Sequence, residues 1–252
     1  MSSVPKLSIV LPSIRDIDPL LESIDIDDFE LIVCGPLEWD IPSKYPRNVK
    51  FVRDYGNPVR ASQIAASLAE GTFITWIADD AVYNEGQLAR VLDIAWRDSD
   101  KVTCTKYTEG EGFIHQPDEY FKLANTGCTN GTCFGDHWNL FNSAFMLTSV
   151  FRNYGGWDCS FETTFFAHAD MAARVQINAM PTQLVDIDLF HCSHMPGTSG
   201  DHAPIHHAHI EHDTLRFADK WVHGIHNPPC YLDNTNWRQA PRVWNRRFND
   251  AV

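Results

Sequence analysis

The 252-residue chain reads as an α/β protein with a mostly parallel sheet, and three observations carry that reading. Short apolar runs alternate with amphipathic segments through the first hundred residues, as strands and crossover helices do. The runs are rich in Val, Ile and Leu and stop at Pro, Gly or acidic residues. One of them, Phe73-Ile74-Thr75-Trp76-Ile77, runs straight into Ala78-Asp79-Asp80, so two adjacent carboxylates stand at the carboxyl end of a buried strand, where open α/β sheets bind ligands. Neighbouring carboxylates repel each other and require a cation or a set of hydrogen bonds. A helix-capping Asp followed by a solvated one is the plainer alternative.

Taken in order, Leu7 to Leu11 is a strand stopped by Pro12, Pro19 to Ser23 a short helical segment, and Phe29 to Cys34 a second strand ended by Gly35-Pro36. Val49 to Arg53 is a third. Ala61 to Glu70 has Ile64, Ala65 and Leu68 on one face and predicts an amphipathic helix with Gly71 as its C-cap. After the Asp79-Asp80 strand, Gln87 to Trp96 predicts a helix with Leu88, Val91, Leu92 and Ala95 inward. This is a half-domain of the nucleotide-binding type, without a Gly-x-Gly-x-x-Gly fingerprint or a Walker lysine loop. Beyond residue 100 the pattern loosens. Thr105 to Gly135 reads as loop, with Cys128 and Cys133 more consistent with buried thiols than with a metal knuckle that includes Cys104. Leu140 to Val150 reads as an apolar strand, Tyr154 to Asp158 as a turn, Thr163 to Gln176 as a helix and Leu184 to Phe190 as a strand. Asp170 and Arg174 have the spacing of an exposed helix ion pair.

A formal charge of −13 argues against broad non-specific affinity for nucleic acid. No apolar stretch approaches the roughly 20 residues of a membrane span, the start lacks a signal-peptide pattern, and seven thinly spread cysteines suit reduced thiols, so a cytoplasmic location is expected. Nine of the twelve histidines lie between His191 and His226. That segment is a metal-rich site, a pH-sensitive surface or a coincidence of loop composition.

Four pieces in register resemble the family 2 glycosyltransferases of the GT-A fold. They are the opening strand with Pro12-Ser13, the block from Ala61 to Asp80, the turn Gly155-Gly156-Trp157-Asp158 followed by Asp170-Met171-Ala172-Ala173-Arg174, and His191-Cys192-Ser193-His194 followed by Phe217-Ala218-Asp219-Lys220-Trp221. The resemblance implies a single GT-A domain, with a Rossmann-like nucleotide-sugar half over 1–100, a smaller acceptor and metal half over 101–227 and a basic aromatic tail over 228–252. It implies a metal-dependent inverting transfer of a sugar from a nucleotide-diphosphate donor, a UDP-sugar being favoured, to a hydroxyl acceptor on a glycan, a small molecule or a modified nucleic-acid base.

In that frame Pro12, Ser13, Arg15, Gly35, Asn57, Arg60, Gln63, Asp79 and Asp80 are expected to bind the donor. Asp80 with His191 or His194 is expected to hold Mn2+ or Mg2+, hard cations that bridge the phosphates of a departing diphosphate. The family's Asp-x-Asp reads here Ala78-Asp79-Asp80, with Asp79 assigned to the ribose and to metal-bound water. Its usual Glu-Asp falls on Ala167-His168, leaving Asp170 as the expected catalytic base ahead of Asp158, Glu162 and His168. Pro12-Ser13-Ile14-Arg15 also resembles the Pro-Thr-Ile-Arg of plant reversibly glycosylated proteins, which places Arg15 toward the diphosphate. Residues 236 to 247 interleave four arginines with two tryptophans. Such a tail suits a DNA acceptor, or docking on its own domain through cation–π contacts, the plainer reading. A catalytically silent nucleotide-sugar-binding protein and a His-rich metallohydrolase built on His207-Ala208-His209 are the alternative functions.

Overall fold

The computed structural model describes residues 5–36, 45–115, 139–193, 200–223 and 231–248. Strands β1 (Leu7–Pro12), β2 (Phe29–Gly35), β3 (Val49–Arg53) and β4 (Phe73–Trp76) form a parallel sheet in the order β3-β2-β1-β4. Helices α1 (Asp18–Glu22) and α2 (Pro58–Ser67) lie between them in sequence. The strand order reverses at β1, which opens a crevice beyond the carboxyl ends of β1 and β4.

The remaining strands extend the same sheet: β5 (Ala81–Tyr83), β6 (Val102–Glu109), β7 (Phe113–His115), β8 (Ala144–Leu147) and β9 (Thr182–Cys192). β8 pairs antiparallel with β4, and the order continues β8-β6-β9-β5, with β7 on β6. The sheet therefore crosses residue 100 without a break. The loop expected over 105–115 is instead the end of β6 and its hairpin partner β7, and the strand expected over 140–150 ends at Leu147, where α4 (Thr148–Asn153) begins. Cys128 and Cys133 lie outside the described residues.

Both faces of the sheet are covered. Leu7, Ile9 and Leu11 of β1 pack with Leu20 of α1 and with Leu88, Val91, Leu92 and Ala95 of α3 (Gln87–Arg97), all buried. Val10 faces the other layer, made of α2 and α5 (Thr164–Ile177) around Trp76, Phe151 and Trp157. Burying this many Val, Ile, Leu and aromatic side chains, at about 1.5–3 kcal/mol each, drives the assembly.

Helix α2 starts three residues before the expected Ala61. Asn57 caps it, accepting from the Arg60 amide at 2.8 Å, and Pro58 occupies the first turn, where its missing N–H costs nothing. Gly71 is not its C-cap. The glycine is needed because a Cβ there would stand 2.6 Å from the Ser8 amide nitrogen. Gly71 N donates to Ser8 Oγ and to buried Glu30, which also accepts from Ser8 Oγ at 2.5 Å and pairs with Lys50 at 2.7 Å, tying the amino ends of β1 and β2 to the loop before β4.

After β9, α6 (Ala203–Ala208) and α7 (Thr214–Ala218) are joined by a π turn at His209–Asp213, and a second π turn covers Asp219–His223. The chain ends in the single-turn α8 (Asn245–Phe248). Among the described residues no helix is long and apolar enough to cross a membrane.

Candidate active site

The carboxyl ends of β1, β2 and β4 bring Pro12, Ser13, Arg15, Gly35 and Asp79 together. Ser13 N donates to Cys34 O at 2.9 Å, and a Cβ on Gly35 would fall 1.8 Å from Ser13 O, so only glycine lets the two backbones approach. The Asp79 carboxylate accepts from Ile14 N at 2.9 Å, from Arg15 Nη1 at 2.6 Å and from Ser13 Oγ at 3.4 Å. It therefore clasps the loop that leaves β1 and orients the Arg15 guanidinium, whose other nitrogen reaches Asp201 at 3.4 Å and His202 at 3.3 Å.

Asp80 follows in the turn before β5 and is half-buried. Its carbonyl accepts from Ser193 N at 3.0 Å, and β5 pairs with β9 so that Val82 faces His191. Asp80 and exposed His191 thus lie on adjoining chain segments at one corner of the sheet, and His194 lies outside the described residues. Among the described residues no group of three His, Cys, Asp or Glu converges. Mg2+ needs no such group, because it is held by one or two carboxylates with substrate phosphates and water filling the remaining positions. By residue type the set fits such a cation: Asp80 could supply a hard oxygen and His191 a nitrogen that Mn2+ tolerates.

Three residues expected at the donor are used elsewhere. The Arg60 guanidinium is buried, binds Asp54 at 3.1 Å, donates to Trp237 O and Ala240 O, and lies 5.3 Å from the Trp237 ring. Gln63 donates to Gly155 O at 3.0 Å and Asn234 O at 3.1 Å and accepts from Trp157 N at 2.9 Å. Asn57 caps α2 and donates to Phe161 O at 3.4 Å. Together they fasten α2 to the Gly155-Gly156-Trp157 turn and to the tail. Their polar groups are thus engaged by the protein itself, and Asn57 also lines the cavity that contains Asp158.

Asp170 is likewise turned inward. Its carboxylate is wholly buried, bound by Arg174 at 2.8 Å, by Lys220 at 2.5 Å and by the Trp221 indole N–H at 2.9 Å. Arg174 is equally buried and also donates to Tyr154 O and Gly156 O. The pair expected on an exposed helix face is a core anchor for the glycine turn, and no oxygen of Asp170 is left for an acceptor. Asp158 is better placed: it retains some exposure, accepts from Ser160 N at 2.9 Å and from Lys220 at 2.7 Å, and lines a cavity of about 560 Å3 with Glu162, His212, Asn236 and Trp244. Burial raises its pKa, but the Lys220 charge and the hydrogen bonds from Lys220 and Ser160 outweigh that and hold it at about 2. Asp158 is therefore ionised at neutral pH. Glu162 binds Trp244 Nε1 at 3.0 Å and Arg246 at 2.6 Å. His168 is enclosed by Trp76 and Trp157, with ring centroids at 5.3 and 5.7 Å, and burial lowers its pKa to about 3.

Solved structures match this fold over nearly the whole chain. The 1–349 segment of TarS from S. aureus superposes with a TM-score of 0.58 at 17% identity, covering 98% of this chain and 72% of that one. The fold is that of TarS. Its complex with UDP matches at a TM-score of 0.58 and 16% identity, covering 93% of this chain and 69% of that one. The complex with UDP-GlcNAc matches at 0.60 and 19%, covering 97% and 73%. TarS is a GT-A glycosyltransferase, so the expected GT-A architecture holds. No family model and no curated protein matches the sequence.

The dyad His207-Ala208-His209 does not converge: His207 pairs with Glu211 at 3.4 Å, while His209 packs on Phe166 with ring centroids 4.7 Å apart. The tail is docked on its own domain. Trp244 N donates to Tyr55 O at 2.8 Å, Arg246 bridges Glu162 and Glu211, and Arg238 and Arg247 lie over Trp237 and Trp244. The sequence did not single out Lys220, which binds both Asp158 and Asp170, or Arg247, which lies over Trp244. For Lys220 the signal was the Phe-x-x-Lys-Trp pattern itself, whereas Arg247 carried no signal beyond its composition.

Proposed function

We propose that this chain is a metal-dependent inverting glycosyltransferase that takes a sugar from a nucleotide-diphosphate donor, preferably a UDP-sugar, and gives it to a hydroxyl acceptor. The observation that carries this is the convergence of Ser13, Arg15, Gly35 and Asp79, with Asp80 next in the chain, at the switch point of a sheet whose fold is shared with TarS, solved with UDP and with UDP-GlcNAc. Pro12 and Gly35 shape the nucleotide groove, Arg15 meets the diphosphate, and Asp79 holds Arg15 and the ribose. Asp80 with His191, and His194 beyond the described residues, would hold Mn2+ or Mg2+, which supplies positive charge to the departing diphosphate.

Asp158 is the base in this reading in place of Asp170, because it is an ionised carboxylate that reaches the cavity. The acceptor hydroxyl gives its proton to Asp158 as its oxygen bonds to the anomeric carbon, and the bond from that carbon to the diphosphate oxygen breaks in the same step with inversion. Lys220 keeps Asp158 oriented. The test is turnover of UDP-sugars with Mn2+, followed by release of UDP. Wild type is expected to turn donor over and Asp158→Asn to lose about 100-fold or more of the rate while still binding UDP. Full activity in Asp158→Asn would remove it as the base.

A further inference from the structure

The segment 243–248 packs on the end of β3 and on α6, and the residues just before α6, Asp201 and His202, reach Arg15. Tyr55, two residues beyond β3, pairs with Val243 as an isolated parallel bridge, accepts from Trp244 N, and meets the Phe248 ring at 5.9 Å. Trp244 is buried and hydrogen-bonded to Glu162, and α8 packs on α6. The Arg247 guanidinium is laid along the Trp244 ring at 5.3 Å, and its amide donates to Trp244 O at 3.0 Å. It shares the fields of Asp79, Asp201 and Arg15, the three charged groups already joined at the end of β1. Burial lowers the Arg247 pKa, and its like-charged neighbour Arg15 adds to that, while Asp79 and Asp201 act against it.

Two guanidiniums are thus gathered near the end of β1 with two carboxylates among them, and an incoming anion can take over the guanidinium hydrogen bonds that the carboxylates now hold. A diphosphate presents several oxygens to two planar forks at once, which is the geometry guanidinium serves best. We propose that the segment 243–248 is the roof of the donor site and that Arg247, supplied by the tail and seated on Trp244, binds the donor diphosphate opposite Arg15. This deepens, and rests on, the donor reading above. Asp79 and Asp201 hold the Arg15 fork in place until the diphosphate arrives, while Trp244 carries that of Arg247. The tail thereby acts as a donor-binding element of the enzyme's own active site.

The β-phosphate preference, meaning the ratio of UMP to UDP dissociation constants measured with Mn2+ by calorimetry, tests this directly. Both ligands share base and ribose, so the ratio separates phosphate recognition from general damage to the fold. Arg247→Gln is expected to reduce the preference about tenfold, as loss of a charge-assisted contact does. Arg242→Gln, which removes an exposed charge of the same tail, is expected to leave it unchanged. Should Arg247→Gln lose UMP binding as well, Arg247→Lys, which keeps the charge but not the fork, is read by the same ratio. A wild-type preference kept in full by the Arg247 variant overturns the roof assignment alone, as does an equal loss in Arg242→Gln. A wild-type protein that binds UDP no better than UMP overturns the donor reading and the proposal with it.

Discussion

Asp170 and Asp158 are both carboxylates near Lys220, yet their surroundings assign them opposite work. Asp170 receives Arg174, Lys220 and an indole N–H inside the core, so removing its charge leaves cations buried without a partner. Asp170→Asn is expected to lower unfolding free energy by about 3–5 kcal/mol in urea denaturation, and a loss under about 1 kcal/mol would contradict the anchor role. The i,i+4 spacing of Asp170 and Arg174 was legible in the sequence. Their burial was not, because it depends on Lys220 and Trp221 some fifty residues further along. The same limit applied to Arg60 and Gln63, whose partners Trp237, Ala240 and Asn234 come from the tail. The pair Asp79-Asp80, in contrast, was readable locally, since a strand end fixes what stands beyond it.

Among the elements, α5 carries the most conflict between sequence and environment. It holds His168, Asp170 and Arg174 on buried surface. His168 between Trp76 and Trp157 has no charged partner among the described residues to offset desolvation, so its imidazole stays neutral down to about pH 3 in the folded protein. The unfolded chain takes up that proton near pH 6.5, so the unfolded state binds more protons below that value and stability falls as pH drops. The expected slope is about 1.4 kcal/mol per pH unit between pH 6 and 4. His168→Phe should flatten it in chemical denaturation at stepped pH, and an unchanged slope would show that another group sets the acid limb. Helix α2 shows how boundaries mislead. Its apolar face was readable from Ala61, but its start is set by Asn57 and Pro58, and Gly71 was assigned to a cap when its reason is close contact with Ser8 of another strand.

At the scale of the molecule, the parallel half was legible because each strand is a short buried run and each crossover has helical period. The second half was less so. β5, β7 and β8 are three or four residues long and take their strand character from pairing with β9, β6 and β4 rather than from their own pattern. The tail's arginines and tryptophans were visible as composition, but their destination was visible only in the fold, where they close on α2, Glu162 and the end of β3. The result is one continuous sheet with a crevice at its switch point, walled by the β1 and β4 ends and roofed by the tail. In the proposed reading this crevice binds a nucleotide diphosphate through a cation held by Asp80. Calorimetric titration of UDP into wild type and Asp80→Ala, each with Mn2+ and with EDTA, tests it most directly. Binding by wild type with Mn2+ is expected to weaken at least about tenfold in EDTA and equally in Asp80→Ala. UDP bound as tightly by Asp80→Ala as by wild type, or without regard to Mn2+, would contradict it.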